Sequence, residues 1–410
     1  MGKSSKPVVD VAIVGGGIAG HVLAVALARA AGPDLDVALV APRPAPGSER
    51  RAGRAIALSR GAVAMLEVIG IWPAIADQAQ AMERIIVTDG RPGDSQLSLL
   101  EFADGDGNGP SAFVVDEHVL ATAAAVAATA CPQVRQKSER VAGCEQGETA
   151  AVLAFESGGA LSARLVVAAD GARSTLRTIA GIKSVGWSYG QSALVASIEH
   201  GGDHHGVAVE RFYPAGPFAV LPLPGRRSSL VWTETTARAQ ALAEAKSEMV
   251  HAELSERWDE ERGRVRAIGP IATFPLSFHI AREFISTRMV LIGDAAHQVH
   301  PLAGQGLNLG LRDIAALTEI VVETHRIGLD PGAWPALERF ERWRRFDTIS
   351  SALTFDGLNR LFSNDRDGLR LVRDLGLGLV ERLPFVKRAF MHEAAGLAGE
   401  IPKLMVGEAI

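Results

Sequence analysis

Residues 8–20 read Val-Val-Asp-Val-Ala-Ile-Val-Gly-Gly-Gly-Ile-Ala-Gly. The first seven form a nearly continuous apolar run, which is typical of a buried parallel strand. Glycines then follow in the spacing G-x-G-x-x-G, which permits a tight turn, close approach of a pyrophosphate and close helix–strand packing. Because a helical pattern comes directly after the motif, the stretch predicts a dinucleotide site formed by Gly15, Gly17, Ile18, Ala19 and Gly20.

The next strand of such a unit is predicted at residues 36–40, Asp-Val-Ala-Leu-Val. In a dinucleotide fold this strand usually ends in an acid that binds the adenosine ribose. Here the strand ends in Ala41, and Asp36 stands at its opposite end. We therefore expect either weaker ribose binding or a replacement by Arg43 or a backbone group.

A second glycine-rich segment, residues 293–310, reads Gly-Asp-Ala-Ala-His-Gln-Val-His-Pro-Leu-Ala-Gly-Gln-Gly-Leu-Asn-Leu-Gly. It follows the apolar run 289–292 and leads into leucines at helical spacing. Glycine lets a backbone approach a ligand closely, and a helix start offers free N–H groups to an anion. The segment therefore indicates a ligand cradle. Asp170-Gly171 repeats this strand–turn–helix pattern.

Two further side chains are candidates near a cofactor. Arg54 directly precedes an apolar segment, and a buried arginine needs an anion such as a diphosphate. His118 stands in the first turn of an alanine-rich helix predicted over 114–130, where it is either a cofactor neighbour or a structural histidine.

Composition excludes several classes of protein. A chain of 410 residues exceeds what one core usually supports, so two or three domains are expected. The net charge of −5 argues against a nucleic-acid partner. Two cysteines, Cys131 and Cys144, cannot form a disulfide framework, and this favours a reducing cytosol. Glycines and His21 interrupt the one long uncharged stretch, so no transmembrane helix is predicted.

Three motifs in chain order resemble those of the single-component (class A) flavoprotein monooxygenases, which hydroxylate aromatic rings. They are Gly15-x-Gly17-x-x-Gly20, Asp170-Gly171, and Gly293-Asp294 with Pro301 and Gly304-Gln305-Gly306. Segments 54–59, 187–191, 210–223 and 293–310 are similar to the ubiquinone-biosynthesis hydroxylases, which act on polyprenylated phenols. The likeness covers nearly the whole chain.

The resemblance implies an α/β fold like that of para-hydroxybenzoate hydroxylase. A Rossmann-like FAD-binding domain would comprise 1–80, 112–185 and 270–330. An antiparallel-sheet substrate domain would comprise 81–111 and 186–269, and C-terminal helices would occupy 331–410. Two of these helices are expected at 334–362 and 366–397, and a single charged helix is expected at 236–262.

The same resemblance implies roles for individual residues. The first glycines would bind the FAD diphosphate with Arg54 nearby, and Asp170-Gly171 would serve FAD and the access of the nicotinamide donor. Asp294, after Gly293, would bind the ribityl chain. The isoalloxazine would be lined by Pro301, Gly304, Gln305, Gly306, Leu307 and Asn308. His118 stands where many relatives have arginine.

The implied function is FAD-dependent hydroxylation of a polyprenylated phenol in ubiquinone biosynthesis, with dioxygen as oxidant. Because only one dinucleotide fingerprint is present, NADH or NADPH would bind transiently over the FAD domain. The protein is expected to be cytoplasmic. Because its implied substrate is lipophilic, we also expect contact with the inner face of the bacterial inner membrane or with a ubiquinone-biosynthesis assembly. No catalytic acid–base pair is assigned, and His297 and His300 are candidates for either proton relay or structural roles.

Four alternatives stay open at this point. One is another class A aromatic hydroxylase, and one is a prenyl-lipid reductase of the same fold; a halogenase is disfavoured because no Trp-x-Trp occurs. A third is a non-catalytic FAD-binding subunit. The fourth is a metal enzyme using Asp294, His297 and His300, but positions i, i+3 and i+6 do not share one helical face well, so no metal site is predicted.

Overall fold

A computed structural model of the chain describes residues 8–43, 54–89, 98–103, 109–110, 112–258, 262–300, 305–362 and 399–410. The strands are β1 (Val8–Val14), β2 (Val37–Val40), β3 (Ala55–Ser59), β4 (Gln80–Met82), β5 (Arg84–Asp89), β6 (Ser98–Ala103), β7 (Ala112–Asp116), β8 (Val134–Lys137), β9 (Val141–Gln146), β10 (Ala151–Phe155), β11 (Ala160–Ala168), β12 (Ser184–His200), β13 (Val207–Tyr213), β14 (Gly216–Leu223), β15 (Arg227–Thr235), β16 (Val265–Ala281), β17 (Ile285–Ser286), β18 (Met289–Leu291) and β19 (His297–Gln298). The helices are α1 (Ile18–Ala31), α2 (Arg60–Val68), α3 (Glu117–Thr129), α4 (Thr175–Ile179), α5 (Thr236–Glu244), α6 (Ser247–Glu256), α7 (Gln305–Arg326) and α8 (Trp334–Phe362).

The first sheet has a parallel centre in the order β18-β11-β1-β2-β8, extended by antiparallel strands at β17 and β10. Its middle strand β1 is apolar because it is covered on both faces, and Val11, Ala12 and Ile13 are fully buried. Helix α1 contacts β1 and β2 of this sheet and also packs against helices α3 and α7. This arrangement confirms the predicted Rossmann-like unit.

The second sheet runs in the order β19-β16-β12-β15-β14-β13-β5-β6. Its neighbouring strands are antiparallel except for the parallel pair β13 and β5. A small third sheet, β3-β7-β4, packs against the second sheet, since β14 contacts both β7 and β4. The predicted fold class, a Rossmann-like unit with an antiparallel sheet, is confirmed. Strands β12 and β16 cross the predicted boundaries near 185 and 270, and the division into domains stays a prediction.

The helices agree with the expected pattern in most places. Helix α7 follows the glycine-rich segment, as the helical spacing of its leucines predicts, and α8 has the bounds predicted at 334–362. The predicted helix over 366–397 lies outside the described residues. The single charged helix expected at 236–262 is wrong: α5 ends at Glu244, and Ala245 is extended (φ −70°, ψ 159°) before α6 begins. In the part of the chain that the structure describes, no helix combines the length and apolar character needed to cross a membrane.

Candidate functional site

One cavity of about 510 Å³ lies between the first sheet and the second. On the side of the first sheet it is lined by the turn before α1, by the residues that follow β11 and β18, and by the start of α7. On the side of the second sheet it is lined mainly by apolar side chains. The lining includes Gly17, Ile18, Ala19, Arg54, Glu117, Ala169, Gly171, Val195, Glu210, Ala219, Val231, Gly293, Asp294, Gly306, Leu307 and Asn308.

The turn from β1 to α1 can be built only from residues without a β-carbon at two positions. Gly15 has φ +133°, and a Cβ there would lie 2.1 Å from the carbonyl oxygen of Ala169. A Cβ on Gly20 would lie 1.9 Å from the carbonyl oxygen of Gly15. Helix α1 therefore packs directly on its own turn. Its N-cap, Gly17, supplies no side-chain cap, so the first-turn N–H groups are available to an anion at the cavity wall.

The end of β2 lacks the acid that usually binds ribose, as the sequence indicates. Asp36 precedes β2, where its Oδ1 accepts a 2.8 Å hydrogen bond from Nε of Arg135. Ala41 instead packs against the glycine turn, since a Cβ on Gly16 would lie 2.8 Å from the Cβ of Ala41. Asp36 therefore lies at the end of β2 opposite the cavity, where it is paired with Arg135.

Asp170 and Gly171 have different roles in the structure. Gly171 lines the cavity with φ +83°. Oδ2 of Asp170 accepts hydrogen bonds from the backbone of Thr175 and Leu176 at 2.8 and 3.2 Å, so this oxygen caps α4. Its Oδ1 is buried and has no hydrogen-bond partner among the described residues. One carboxylate oxygen is therefore left for a ligand or water beside the turn.

Asp294 presents its carboxylate to the cavity. The side chain is exposed there, whereas its neighbours Gly293 and Ala295 are buried. Gly293 adopts φ +55° and packs against the first turns of α7, because a Cβ on Gly310 would lie 3.3 Å from the Cα of Gly293. The backbone on either side of Asp294 is thus fixed by packing, and the carboxylate projects from a rigid turn.

Helix α7 brings Gly306, Leu307 and Asn308 to the cavity wall. The carboxamide of Asn308 is 2% exposed and is bonded to β3: its Oδ1 accepts from the N–H of Ser59 at 3.0 Å, and its Nδ2 donates to the carbonyl of Ala57 at 2.9 Å. Asn308 therefore joins α7 to β3. Helix α7 begins at Gln305, and the predicted contacts of Pro301 and Gly304 lie outside the described residues.

Arg54 lies at the rim of the cavity and is half exposed, so the expectation that it is buried is wrong. Its Nε is 3.6 Å from Oε2 of Glu117, and its guanidinium carbon is 5.7 Å from the centre of the Phe274 ring. Glu117 at the start of α3 holds it there. His118 is exposed and is absent from the described cavity lining, while its N–H donates to the N-cap residue Asp116 at 2.8 Å.

His297 and His300 are buried behind the cavity wall, where Gln298 and Val299 form the lining instead. Nε2 of His297 is hydrogen-bonded to Asp313 at 2.6 Å. Burial lowers the pKa of His300 to about 4, so its imidazole is neutral at pH 7. Asp294 faces the cavity rather than these rings, and the described residues contain no group of three potential metal ligands.

Two cavity residues were not assigned a role from the sequence, Glu117 and Glu210. Glu117 lies in the first turn of α3, where an acid is also favoured simply by the helix dipole. Glu210 and Arg211 are adjacent charged residues in the otherwise apolar strand β13, and alternation places their side chains on opposite faces, so one of the two charges must face inward. Burial raises the pKa of Glu210 to about 7.

The shape and chemistry of the first-sheet side fit FAD. The glycine turn can approach a diphosphate, because any side chain at Gly15 or Gly20 would collide with backbone. The uncapped start of α1 offers N–H groups to that diphosphate, and Asp294 offers a carboxylate to hydroxyl groups. The free Oδ1 of Asp170 is a further acceptor beside this turn.

Comparison with known proteins gives matches over most of the chain. A family described as FAD binding domain matches residues 8–326. Ubiquinone hydroxylase UbiL of Rhodospirillum rubrum is 40% identical over 415 residues, which cover 98% of this chain and 94% of that protein. The 3-demethoxyubiquinol 3-hydroxylase of Escherichia coli is 32% identical over 402 residues, covering 95% of this chain and 98% of that protein. The structure of p-nitrophenol 4-monooxygenase PnpA from Pseudomonas putida has the same fold, with a TM-score of 0.76 at 20% identity over 96% of this chain and 99% of that one.

Proposed function

The chain belongs to the FAD binding domain family and is a flavin-dependent monooxygenase, and on this premise we propose that it hydroxylates the ring of a polyprenylated phenol in ubiquinone biosynthesis. The resemblance of its sequence motifs to the class A flavoprotein monooxygenases is confirmed by the family match and the relatives. Two of those relatives are named for hydroxylation of ubiquinone or its precursors.

The observation that best supports this substrate class is the continuity of the cavity. Its first-sheet side has the glycine turn and Asp294, and its second-sheet side is lined by small apolar residues such as Ala193, Val195 and Ala219. A lipophilic phenol can therefore lie beside a bound flavin without passing through water. Apolar lining also removes water from the reacting ring, which favours hydroxylation over release of peroxide.

Bound FAD supplies the oxygen chemistry, which lies beyond any side chain. The residues that would hold it are the glycine turn Gly15–Gly20 at the diphosphate and Asp294 at the ribityl chain. Gly306, Leu307 and Asn308 would lie against the ring. Helix α7 begins next to these residues, and its positive end would stabilise negative charge on a reduced flavin. Overall, one dioxygen, one NAD(P)H and one proton are consumed, and the hydroxylated phenol, water and NAD(P)⁺ are released.

The electron donor is proposed to be NADH or NADPH, bound transiently. One glycine-rich dinucleotide turn is present and is occupied by FAD in this proposal, so the donor would approach over the FAD-binding unit. Comparing the initial rates of flavin reduction by NADH and by NADPH, under anaerobic conditions, decides between the two donors.

We also propose that the protein collects its substrate at a membrane surface. Phe346 and Leu353 are 80% and 56% exposed, and their spacing of seven residues puts them on one face of α8. Co-sedimentation with vesicles of phosphatidylethanolamine and phosphatidylglycerol tests this, with Phe346→Ser expected to weaken binding. Equal sedimentation of wild type and variant would remove this part of the proposal.

The proposed function is tested with purified, FAD-loaded protein and 2-geranylphenol as the substrate probe. The expected result is NAD(P)H oxidation stimulated by the phenol and a product carrying one oxygen atom from isotopically labelled dioxygen. A product that gains hydrogens instead identifies a prenyl-lipid reductase. Absence of both stimulation and product would contradict catalysis on this substrate class.

A genetic measurement identifies the reaction in the cell. Mass spectrometry of quinone intermediates in a strain lacking this protein is expected to show a polyprenylated phenol that lacks a ring hydroxyl group. The ring position of the missing oxygen then names the carbon on which the protein acts. Normal ubiquinone content in that strain, without any accumulating precursor, would count against a role in the pathway.

A further inference from the structure

Glu210 lies on the cavity-facing side of the second sheet, in strand β13. It is the only ionisable residue that this sheet contributes to the described lining. The next residue, Arg211, points to the opposite face, where its guanidinium donates to the carbonyl of Arg257. The carboxylate and the guanidinium are therefore separated by the sheet, and no ion pair to Glu210 exists among the described residues.

The strand register explains why there is room beside this carboxylate. Glu210 pairs with Ala219 of β14, Ala219 pairs with Val231 of β15, and Val231 pairs with Val195 of β12. All four residues line the cavity. A row of small side chains thus leads away from Glu210 across the sheet, and the space above that row can hold a flat ring next to the carboxylate.

We propose that Glu210 binds the phenol hydroxyl group of the substrate and accepts its proton during hydroxylation. This inference rests on the proposed function. In the step, the phenol O–H bond breaks, the proton bonds to a carboxylate oxygen of Glu210, and the electron pair stays on the phenol oxygen. That charge enriches the ring carbons ortho and para to the oxygen, which are the carbons that must attack an electrophilic oxygen atom. No further oxidant or reductant is needed for this proton transfer.

The surroundings of Glu210 suit it to this task. Its two strand neighbours, Val87 and Ala219, do not ionise, and the other ionisable groups that line the cavity are Arg54, Glu117 and Asp294. Arg54 is engaged with Glu117. Burial alone accounts for the raised pKa of Glu210, about 7, and a general base is most effective when its pKa lies near the working pH.

The test compares Glu210→Gln and Glu210→Asp with wild type, using FAD-loaded protein and 2-geranylphenol. Wild-type kcat is expected to rise with pH through about 7, and Glu210→Gln is expected to lose that rise and about 10²-fold to 10⁴-fold in kcat. Glu210→Asp should retain part of the pH-dependent rate. Glu199→Gln is the matched control, because Glu199 lies on the same sheet in β12 but is half-exposed, paired with Arg266 and outside the described cavity lining.

A binding measurement separates this role from a structural one. Titration of 2-geranylphenol by calorimetry in two buffers with different ionisation enthalpies counts the protons exchanged on binding. Near pH 7 wild type and Glu199→Gln are expected to exchange protons, and Glu210→Gln is expected to exchange none. FAD content and Tm identify a variant that fails to fold, and in that case Glu210→Asp carries the comparison.

The two failures can be told apart. If wild type hydroxylates the phenol and Glu210→Gln matches its kcat, pH profile and proton count, the assignment of Glu210 is overturned and the proposed function stands. If wild type forms no hydroxylated product, the proposed function is overturned, and Glu210 loses its catalytic role with it.

Discussion

Nε2 of His297 lies 2.6 Å from Oδ2 of Asp313, and both side chains are almost completely buried. The same carboxylate oxygen accepts the N–H of Gly293 at 3.0 Å, and Oδ1 accepts a hydrogen bond from Nε of Arg344 at 2.9 Å. One buried carboxylate therefore joins α8, α7 and the turn that carries Asp294. Arg344 compensates the charge of Asp313, and neither residue belongs to the described cavity lining, so the turn that carries Asp294 is held from behind the cavity wall.

Asp313→Asn is expected to lower the free energy of unfolding by about 3 kcal/mol, since it leaves the guanidinium of Arg344 buried with less compensation. Asp347 still pairs with Arg344, so the loss should lie at the lower end of the range for broken buried pairs. Urea unfolding measures the change. The control is Asp36→Asn, which removes an exposed pair with Arg135 and should cost less than about 1 kcal/mol. Equal losses in both variants would contradict the network.

Acid unfolding should depend on the same carboxylate. Burial of Asp313 raises its pKa, but the charges and hydrogen bonds of His297 and Arg344 outweigh burial and hold the pKa below its ordinary value. A lowered pKa contributes stability that is present above the pKa of the unfolded chain, about 3.9, and is lost as pH falls through the folded-state value. Wild type is therefore expected to lose stability below about pH 4 more steeply than Asp313→Asn. Parallel pH profiles of the two would show that the charge is not stabilising.

Glu210 should give the opposite pH dependence. Its pKa is raised from 4.5 to about 7 by burial, so ionisation is less favourable in the folded chain than in the unfolded one. The stability that protonated Glu210 contributes to the folded chain is fully present below pH 4.5 and is lost as pH rises through about 7. The Tm of wild type, relative to that of Glu210→Gln, is therefore expected to fall as the pH rises through this interval. At higher pH the difference between the two Tm values should stay constant. A difference that did not change with pH would mean that Glu210 is not desolvated.

Gly15→Ala is expected to disrupt the dinucleotide turn. The new methyl group would lie 2.1 Å from the carbonyl oxygen of Ala169, and φ +133° is strained for alanine. Strain and overpacking together predict a loss of about 3 kcal/mol or more, measured by urea unfolding of the apoprotein. Gly158→Ala is the control, because Gly158 has φ +89° with open space around it and should lose only about 1–2 kcal/mol. A fully stable Gly15→Ala protein would contradict the packing described.

Asp294→Ala is expected to remove FAD from the purified protein while the chain stays folded. The carboxylate faces the cavity from a buried turn, so its loss removes a ligand contact and leaves the packing of Gly293 intact. Flavin absorbance per protein, together with the Tm of the apoprotein, separates the two effects. Asp77→Ala, at an exposed position outside the cavity lining, should keep its flavin. Full flavin occupancy in Asp294→Ala would refute the assignment.

Local sequence signals predicted those parts of the site that are continuous in the chain. The glycine turn after β1 and the segment around Asp294 both line the cavity, as expected from strand–turn–helix patterns. The break between α5 and α6 was missed because charged residues of good helix propensity continue through Ala245 and Lys246. The expected burial of Arg54 was wrong because its partner, Glu117, lies in another element and holds it at the cavity rim.

The sequence by itself determined that an apolar strand, a glycine turn and a helix form a dinucleotide-binding unit, because these elements follow one another directly and their residue patterns reflect local backbone geometry. Only the tertiary structure decided which distant residues meet. Asn308 bonds to Ser59 across 249 positions, and Glu210, Ala219, Val231 and Val195 form one row because of the register of four strands. Strand order and register depend on packing between segments far apart in the chain, so no local pattern places Glu210 at the cavity.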